Sequence, residues 1–275
     1  MSHARPSIDR LARTLREVAP AAEGSAAEAF GRPSRAVPSG WETIDGELHA
    51  AGGATGLVRG GVHEWLGVDG ADGEAEWTPP LFLLAHVARQ AVLDAVERGA
   101  PSTVIWVGRR VWPYPRALTG GVEVVETRSV DDGDGELQLG LALREAPGES
   151  VDGGALFSHS LFVEPPDAGL RLWAIDAALR CEGVTAVVAD GSGFGMAATR
   201  RLQLAAAAAD ALVLIGRPPS EIGEVSAATT RWTVARAPDE DTARGPRWWT
   251  TLLRAKGAQQ IRRRAMRRER QRGVG

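Results

Sequence analysis

The sequence contains very little cysteine, lysine and tyrosine, because each occurs once among 275 positions. A single cysteine excludes an intramolecular disulfide. Cys181 lies in the helix-compatible stretch RLWAIDAALRC, where we expect a packed thiol and not a nucleophile. The chain also lacks a run of about eighteen uncharged apolar residues, so no membrane-spanning helix is predicted. It begins MSHARPSIDR, without an apolar signal region, and we therefore expect a cytoplasmic protein.

Acidic residues are scarce at the C-terminal end, where residues 254–275 hold eight Arg, one Lys and one Glu. This segment carries a charge of +8, and the rest of the chain carries −11 within the net charge of −3. Such a body repels phosphate, whereas the basic end favours nucleic acid or an acidic partner.

Short apolar runs alternate with Gly-rich turns and helical patterns from residue 40 onward, which predicts an α/β fold with a mostly parallel sheet. Two further stretches, 230–238 and 246–255, alternate polar and apolar residues and predict an antiparallel pair at one edge of the sheet. The predicted parallel strands are 62–66, 102–108, the run SLFVEP, 184–190 and 211–216. The predicted helices are 79–98, 167–182 and 197–209.

Composition divides the chain into three parts. Residues 1–37 combine a short helical pattern with an Ala/Gly/Pro/Ser-rich linker. Residues 38–257 form the α/β domain, and residues 258–275 form a basic tail. Within the domain, residues 120–156 carry the acidic run DDGDGE and two Gly-Gly pairs, so we expect an insertion with little core.

The most informative segment is GVDGADGE, residues 67–74, between the strand 62–66 and the helix 79–98. Nucleotide-binding folds place a GxxxxGK[ST] phosphate loop at this position, and its lysine neutralises the outer phosphates. The present loop has no lysine, and carboxylates close to a triphosphate would repel it by several kcal/mol in a partly desolvated site. We therefore expect a solvated acidic loop and no tight nucleotide binding in the usual manner. The acidic residues are Asp69, Asp72, Glu74 and Glu76.

Other motifs for catalysis or cofactor binding are incomplete. Asp190 ends an apolar strand, as does the magnesium carboxylate of phosphate-loop enzymes, but a carboxylate also commonly terminates a strand. The following GSGFG, 191–195, departs from the dinucleotide fingerprint and is interpreted as a loop. His63-Glu64 does not continue to HExxH, and Ser192 is out of register for a nucleophile elbow. The sequence thus predicts no catalytic residue, no cofactor and no metal.

Tryptophan is abundant, with nine residues. We expect Trp65, Trp106 and Trp232 in the core, because they lie in predicted strands. Surface or partner positions remain open for Trp77, Trp112, Trp248 and Trp249.

The candidate DNA-binding residues belong to the tail QQIRRRAMRRERQRG, 259–273. Guanidinium groups match phosphate oxygens, and several contacts at once would make affinity steeply salt-dependent. A solvated tail and an electrostatic dock for an acidic protein are the alternatives. The candidate residues are Arg262, Arg263, Arg264, Arg267, Arg268, Arg270 and Arg272.

Three stretches resemble RecA-like proteins of the ImuA type, which are encoded in bacterial mutagenesis cassettes. GLVRGGVHEWLG, 56–67, is similar to the strand before the RecA phosphate loop. Residues 167–190 and 198–215 resemble the ImuA centre, and residues 226–257 resemble its closing strands. The insertion at 120–156 and the very basic tail have no counterpart in this resemblance.

The resemblance implies a RecA-like, mostly parallel twisted sheet flanked by helices and lacking the ATPase machinery. It also implies an adaptor in DNA-damage-induced translesion synthesis and mutagenesis. The implied partners are an ImuB-type, Y-family-like polymerase protein and an error-prone DnaE2-type polymerase complex, with RecA and DNA as further contacts. The alternatives are a SulA-like cell-division inhibitor and a residual NTP-binding regulator of RecA.

Overall fold

The computed structural model describes residues 36–50, 55–67, 77–100, 102–119, 122–131, 137–145, 155–236 and 247–256. The acidic loop, the basic tail and most of the predicted N-terminal helix and linker lie outside these ranges. The strands are β1 (Ala36–Val37), β2 (Leu57–Val58), β3 (Val62–Leu66), β4 (Thr103–Val107), β5 (Val122–Asp131), β6 (Leu137–Glu145), β7 (Ser160–Val163), β8 (Val184–Asp190), β9 (Leu212–Arg217), β10 (Thr230–Arg236) and β11 (Arg247–Ala255). The helices are α1 (Glu42–Ala50), α2 (Leu81–Glu97), α3 (Pro115–Thr119), α4 (Ala155–Ser158), α5 (Ala168–Ala178) and α6 (Met196–Ala209), with 3-10 turns at Arg109–Val111 and Pro219–Glu221.

The main sheet of the described residues has the strand order β5–β6–β11–β10–β3–β9–β8–β4–β7. From β7 to β10 all neighbours are parallel, and β11, β6 and β5 continue the sheet in antiparallel pairs. The prediction of an α/β fold with a mostly parallel sheet and antiparallel strands at one edge is confirmed. The strands β8 and β9 are buried along their whole length, which explains why they are continuous apolar runs in the sequence.

Helices cover both faces of the parallel strands. On one face α2 packs its apolar side against residues that include Trp65 and Trp106, and it begins directly after Pro80, since proline suits the start of a helix. On the other face α5 and α6 bury Ile175 and Leu202. The resulting three layers place the core on both sides of β3, β4, β8 and β9.

The segment 120–156 differs from the expected insertion with little core. Its strands β5 and β6 form a hairpin, and β6 pairs with β11 so that the hairpin extends the main sheet. Leu141 is fully buried and Val124 is 5% exposed. The pattern LQLGLAL alternates leucine with other residues, as is typical of a strand, and the glycine pairs and acidic run around it obscured this signal in the sequence interpretation.

The predicted antiparallel pair near the C-terminus is confirmed and belongs to the antiparallel side of the sheet, but it is not the outermost pair. β10 pairs in parallel with β3, and β11 is covered by β6. The hairpin β5–β6 forms this edge of the described sheet, and both predicted edge strands are therefore interior.

The described residues begin inside the predicted linker. β1 pairs with β2 in a separate antiparallel ladder. Gly56 has φ +117°, and a Cβ atom there would lie 2.4 Å from the carbonyl oxygen of Val37. Glycine is therefore required for the close approach that brings β1 against β2.

Candidate functional site

The parallel strands β3, β9, β8 and β4 end at one edge of the sheet, which is where open α/β folds bind ligands. The chain leaves β3 at Gly67, whose amide donates to the carbonyl oxygen of Arg217 at 2.8 Å. A Cβ atom at Gly67 would lie 2.3 Å from the carbonyl oxygen of Thr78. The two ends of the acidic segment are thus packed together at this edge, and the predicted repulsion of a triphosphate by that segment remains a prediction.

Asp190 lies at the centre of the same edge, with its side chain 6% exposed. Its Oδ1 accepts hydrogen bonds from the amide and the hydroxyl of Ser192 at 2.9 and 2.6 Å. Its Oδ2 accepts from Arg171 Nη1 at 3.1 Å and lies 3.7 Å from Arg110 Nε. Both carboxylate oxygens are therefore engaged by protein donors.

The arginines beside Asp190 are held in place by further contacts. Arg171 Nη2 donates to the carbonyl oxygen of Ser192 at 2.8 Å, and its guanidinium lies 5.9 Å from the Phe194 ring centroid. Arg110 donates to the carbonyl oxygen of Trp77 at 3.2 Å and lies over its indole at 5.2 Å. The two guanidiniums place positive charge beside Oδ2, which opposes the approach of a magnesium ion to this carboxylate.

The loop 191–195 forms a tight turn, in agreement with its interpretation as a loop. The bond from the Ser192 amide to Asp190 is an Asx turn, which is the strand-terminating role of a carboxylate. Phe194 is 3% exposed and packs in the core beneath α5 and α6. The Gly193 amide donates to Glu221 Oε1 at 2.8 Å. These contacts account for the residue types of the loop by structural roles, without a dinucleotide.

A buried charge network, which the sequence interpretation missed, joins the neighbouring strands β9 and β3. Glu64 on β3 is fully buried and accepts from Arg217 Nη1 at 3.0 Å, Arg231 Nε at 2.8 Å and Ser226 Oγ at 2.6 Å. Arg217 also donates to Glu221 at 2.7 Å. Although burial opposes the charge of Arg217, the carboxylates of Glu64 and Glu221 outweigh it and raise the pKa of the guanidinium.

His63, next to Glu64, points to the opposite face and is also fully buried. Its Nδ1 lies 2.8 Å from the Thr230 hydroxyl, which accepts from Trp232 Nε1, and its Nε2 lies 3.0 Å from the Val58 carbonyl oxygen. A neutral ring that accepts at Nδ1 and donates at Nε2 satisfies all of these contacts. Burial lowers the pKa of His63 to about 4, so this histidine is a structural residue at neutral pH.

Several residues singled out from the sequence can be placed. Trp65, Trp106 and Trp232 are buried as predicted. The tryptophans whose position remained open, Trp77, Trp112, Trp248 and Trp249, are half-buried. Cys181 is buried among core residues, as predicted, and its Sγ lies 3.3 Å from the Ala177 carbonyl oxygen.

The candidate DNA-binding arginines, Arg262, Arg263, Arg264, Arg267, Arg268, Arg270 and Arg272, lie outside the described residues. The contacts of their side chains therefore stay a prediction.

Metal-binding clusters and membrane-spanning helices are absent from the described ranges. No group of three or more His, Cys, Asp or Glu side chains is placed there to share a metal ion. None of the helices in these ranges combines the length and apolar content of a membrane span.

Comparison with known proteins found neither a protein-family model that matches the chain nor a curated protein with significant similarity to it.

Proposed function

We propose that this protein is a non-catalytic, RecA-like adaptor in DNA-damage-induced translesion synthesis and mutagenesis. The single observation that carries the proposal is the contact of Asp190 with Ser192, Arg171 and Arg110 at the carboxyl edge of the parallel strands. A phosphate-loop enzyme needs a carboxylate here that is open toward magnesium. The arginine contacts occupy that position.

The strand order supports the RecA-like part of the proposal. β3, the strand before the acidic loop, lies in the interior of the sheet and is followed by α2. β9 separates it from β8, whose last residue is Asp190. The stretches that resemble the ImuA centre form α5, β8, α6 and β9, and the stretch that resembles the closing strands contains β10 and β11.

The proposed partners follow from the resemblance and from charge. An ImuB-type polymerase protein, a DnaE2-type polymerase complex and RecA would contact the folded body. DNA would contact the arginine-rich tail, because the seven guanidinium groups between residues 262 and 272 can neutralise phosphates. In this scheme the protein binds and positions other molecules and performs no turnover chemistry.

The experiment is a complementation assay with Asp190→Asn. In a strain that lacks the gene, DNA-damage-induced mutation frequency should be restored to the wild-type level by both the native protein and the variant, provided that the variant accumulates normally. Asparagine can still accept from Ser192 and preserves the turn, whereas an ATPase would lose its magnesium carboxylate. Loss of induced mutation in a stably folded Asp190→Asn protein would contradict the proposal.

The partner assignment has a separate test. Purified ImuB-type protein from the same genome should co-elute with the native chain in size-exclusion chromatography. If the two proteins elute separately, and if overexpression of this protein causes cell filamentation, the results would instead support a SulA-like cell-division inhibitor.

A further inference from the structure

Three cationic residues surround the segment 226–229, which follows the Pro219–Glu221 turn. On one side this segment is bonded to α6, through the Ala227 amide to Thr199 Oγ1 at 3.0 Å and the Thr229 hydroxyl to Gln203 Oε1 at 3.0 Å. Arg200 follows Thr199 on this part of the helix and is exposed.

On its other side the segment is bonded to the end of β11. Arg254 Nη2 donates to the carbonyl oxygens of Ser226 and Ala228, both at 2.8 Å, and the Lys256 amide donates to the Thr229 carbonyl oxygen at 2.7 Å. The segment therefore joins the α6 turn of Arg200 to the strand end that carries Arg254 and Lys256. We name Arg200, Arg254 and Lys256 the basic cluster.

The charges of the basic cluster are not neutralised within the described part of the chain. Neither Arg200 nor Lys256 forms an ion pair there. Glu64 attracts Arg254, but its carboxylate already accepts from Arg217 and Arg231.

The shifted pKa values agree with this mutual repulsion. Burial and the charge of Arg231 lower the pKa of Arg254. Lys256 is largely exposed, but partial burial of its ammonium group and the charges of Arg254 and Arg200 lower its pKa. An anion at this position would relieve the repulsion.

We propose that the basic cluster on the folded body binds the phosphodiester backbone of a nucleic acid. The chain passes from Lys256 directly into the residues 257–275, which contain seven of the candidate phosphate contacts. A nucleic acid strand carries evenly spaced charges and can follow such a path, while the acidic body elsewhere repels it. Arg254 is fixed by its two carbonyl contacts, which reduces the entropy cost of ordering the cluster.

This inference rests on the DNA contact of the proposed adaptor function and assigns that contact a place on the folded body. It requires no enzyme activity and no nucleotide. It also predicts that DNA affinity depends on two parts of the chain, of which the tail alone would be only one.

The test measures DNA affinity of the full-length chain by fluorescence anisotropy across a salt series. The variant is Arg200→Gln/Lys256→Gln, which leaves the Arg254 contacts intact. The matched control is Arg98→Gln/Arg180→Gln, which removes two cations from i,i+4 ion pairs with Asp94 and Asp176. The probes are a labelled oligonucleotide of about 30 nucleotides and its duplex, and circular dichroism verifies that both variants fold.

Removal of two phosphate contacts should reduce the magnitude of the log–log salt slope by about 1.4 on the single strand and about 1.8 on the duplex. We expect at least ~10-fold weaker binding at 0.1 M salt for this variant and a nearly unchanged slope for the control. An unchanged slope in Arg200→Gln/Lys256→Gln, or an equal loss in the control, would overturn the inference.

Polyglutamate added as a competitor distinguishes an acidic protein partner from nucleic acid. At equal charge concentration it should displace the oligonucleotide far less effectively than unlabelled DNA does. Equal displacement would overturn the nucleic-acid assignment. Binding of the ImuB-type protein is measured with the variant and with the native chain. If the native chain fails to bind it, the adaptor function is contradicted. The salt slope of DNA binding still tests the basic cluster in that case.

Discussion

Asp190 on β8 and the adjacent His63 and Glu64 on β3 are buried ionisable residues, and each has hydrogen-bond partners from the protein itself. Asp190 and Glu64 accept from arginines, and His63 lies between a hydroxyl and a carbonyl group. Such groups stabilise one arrangement of strands and loops, because removing one partner leaves a buried charge or polar atom without compensation. Their contribution is therefore measurable as folding stability.

Replacement of Glu64 by Gln should destabilise the fold by about 3–5 kcal/mol, because Arg217 and Arg231 would remain buried without their shared carboxylate. The free energy of unfolding is measured by urea titration. The control is Glu97→Gln, which changes an exposed side chain of α2 and should cost less than about 0.5 kcal/mol. Equal effects of the two substitutions would contradict the importance of the buried network.

The free energy of unfolding should decrease as the pH is lowered below about 6.5, because of His63. Its pKa of about 4 in the folded chain is below the ordinary value of 6.5, so the unfolded chain binds a proton that the folded chain does not. Stability is complete above about pH 6.5 and declines by about 1.4 kcal/mol per pH unit down to about pH 4.

Urea titrations across this range should show a smaller decline for His63→Gln than for the native protein. The exposed residue His49 provides the control substitution, His49→Gln. A decline of native size in His63→Gln would show that another group causes the pH dependence.

At the scale of elements, the parallel strands and the main helices were predictable, because their apolar runs and periodic patterns depend on local sequence. β3, for example, matches the predicted residues 62–66. The hairpin β5–β6 was not recognised, since its pairing with β11 joins segments that are far apart in the chain. The partners of Asp190 escaped prediction for the same reason: Arg110 and Arg171 come from other elements.

The hairpin should contribute to global stability. Leu141→Ala removes a fully buried side chain from β6 and should lower the free energy of unfolding by about 2–5 kcal/mol. The control Leu204→Ala changes a side chain that is 54% exposed and should cost less than about 1 kcal/mol. If Leu141→Ala lowers the free energy of unfolding no more than the control does, the segment 120–156 would be an insertion with little core.

On the scale of the whole molecule, charge is separated between an acidic body and a basic C-terminal end. The seven candidate arginines follow Arg254 and Lys256 of the basic cluster in the sequence, and the chain before residue 254 has an excess of carboxylates. Nucleic acid should therefore approach from this end of the molecule. The proposed adaptor would leave its other surfaces for protein partners.

Deletion of residues 258–275 should abolish most DNA binding and leave the fold intact, because the tail carries most of the proposed phosphate contacts. Anisotropy measures the affinity, and thermal unfolding of the same samples measures stability. Unchanged affinity would remove the tail from the DNA-binding surface.

The central claim is that this protein functions without binding a nucleotide, because arginines contact Asp190. Isothermal titration calorimetry of the native full-length chain with ATP and magnesium tests it most directly. The account predicts no saturable heat of binding at millimolar nucleotide. A stoichiometric binding isotherm that is lost in Asp190→Asn would contradict it.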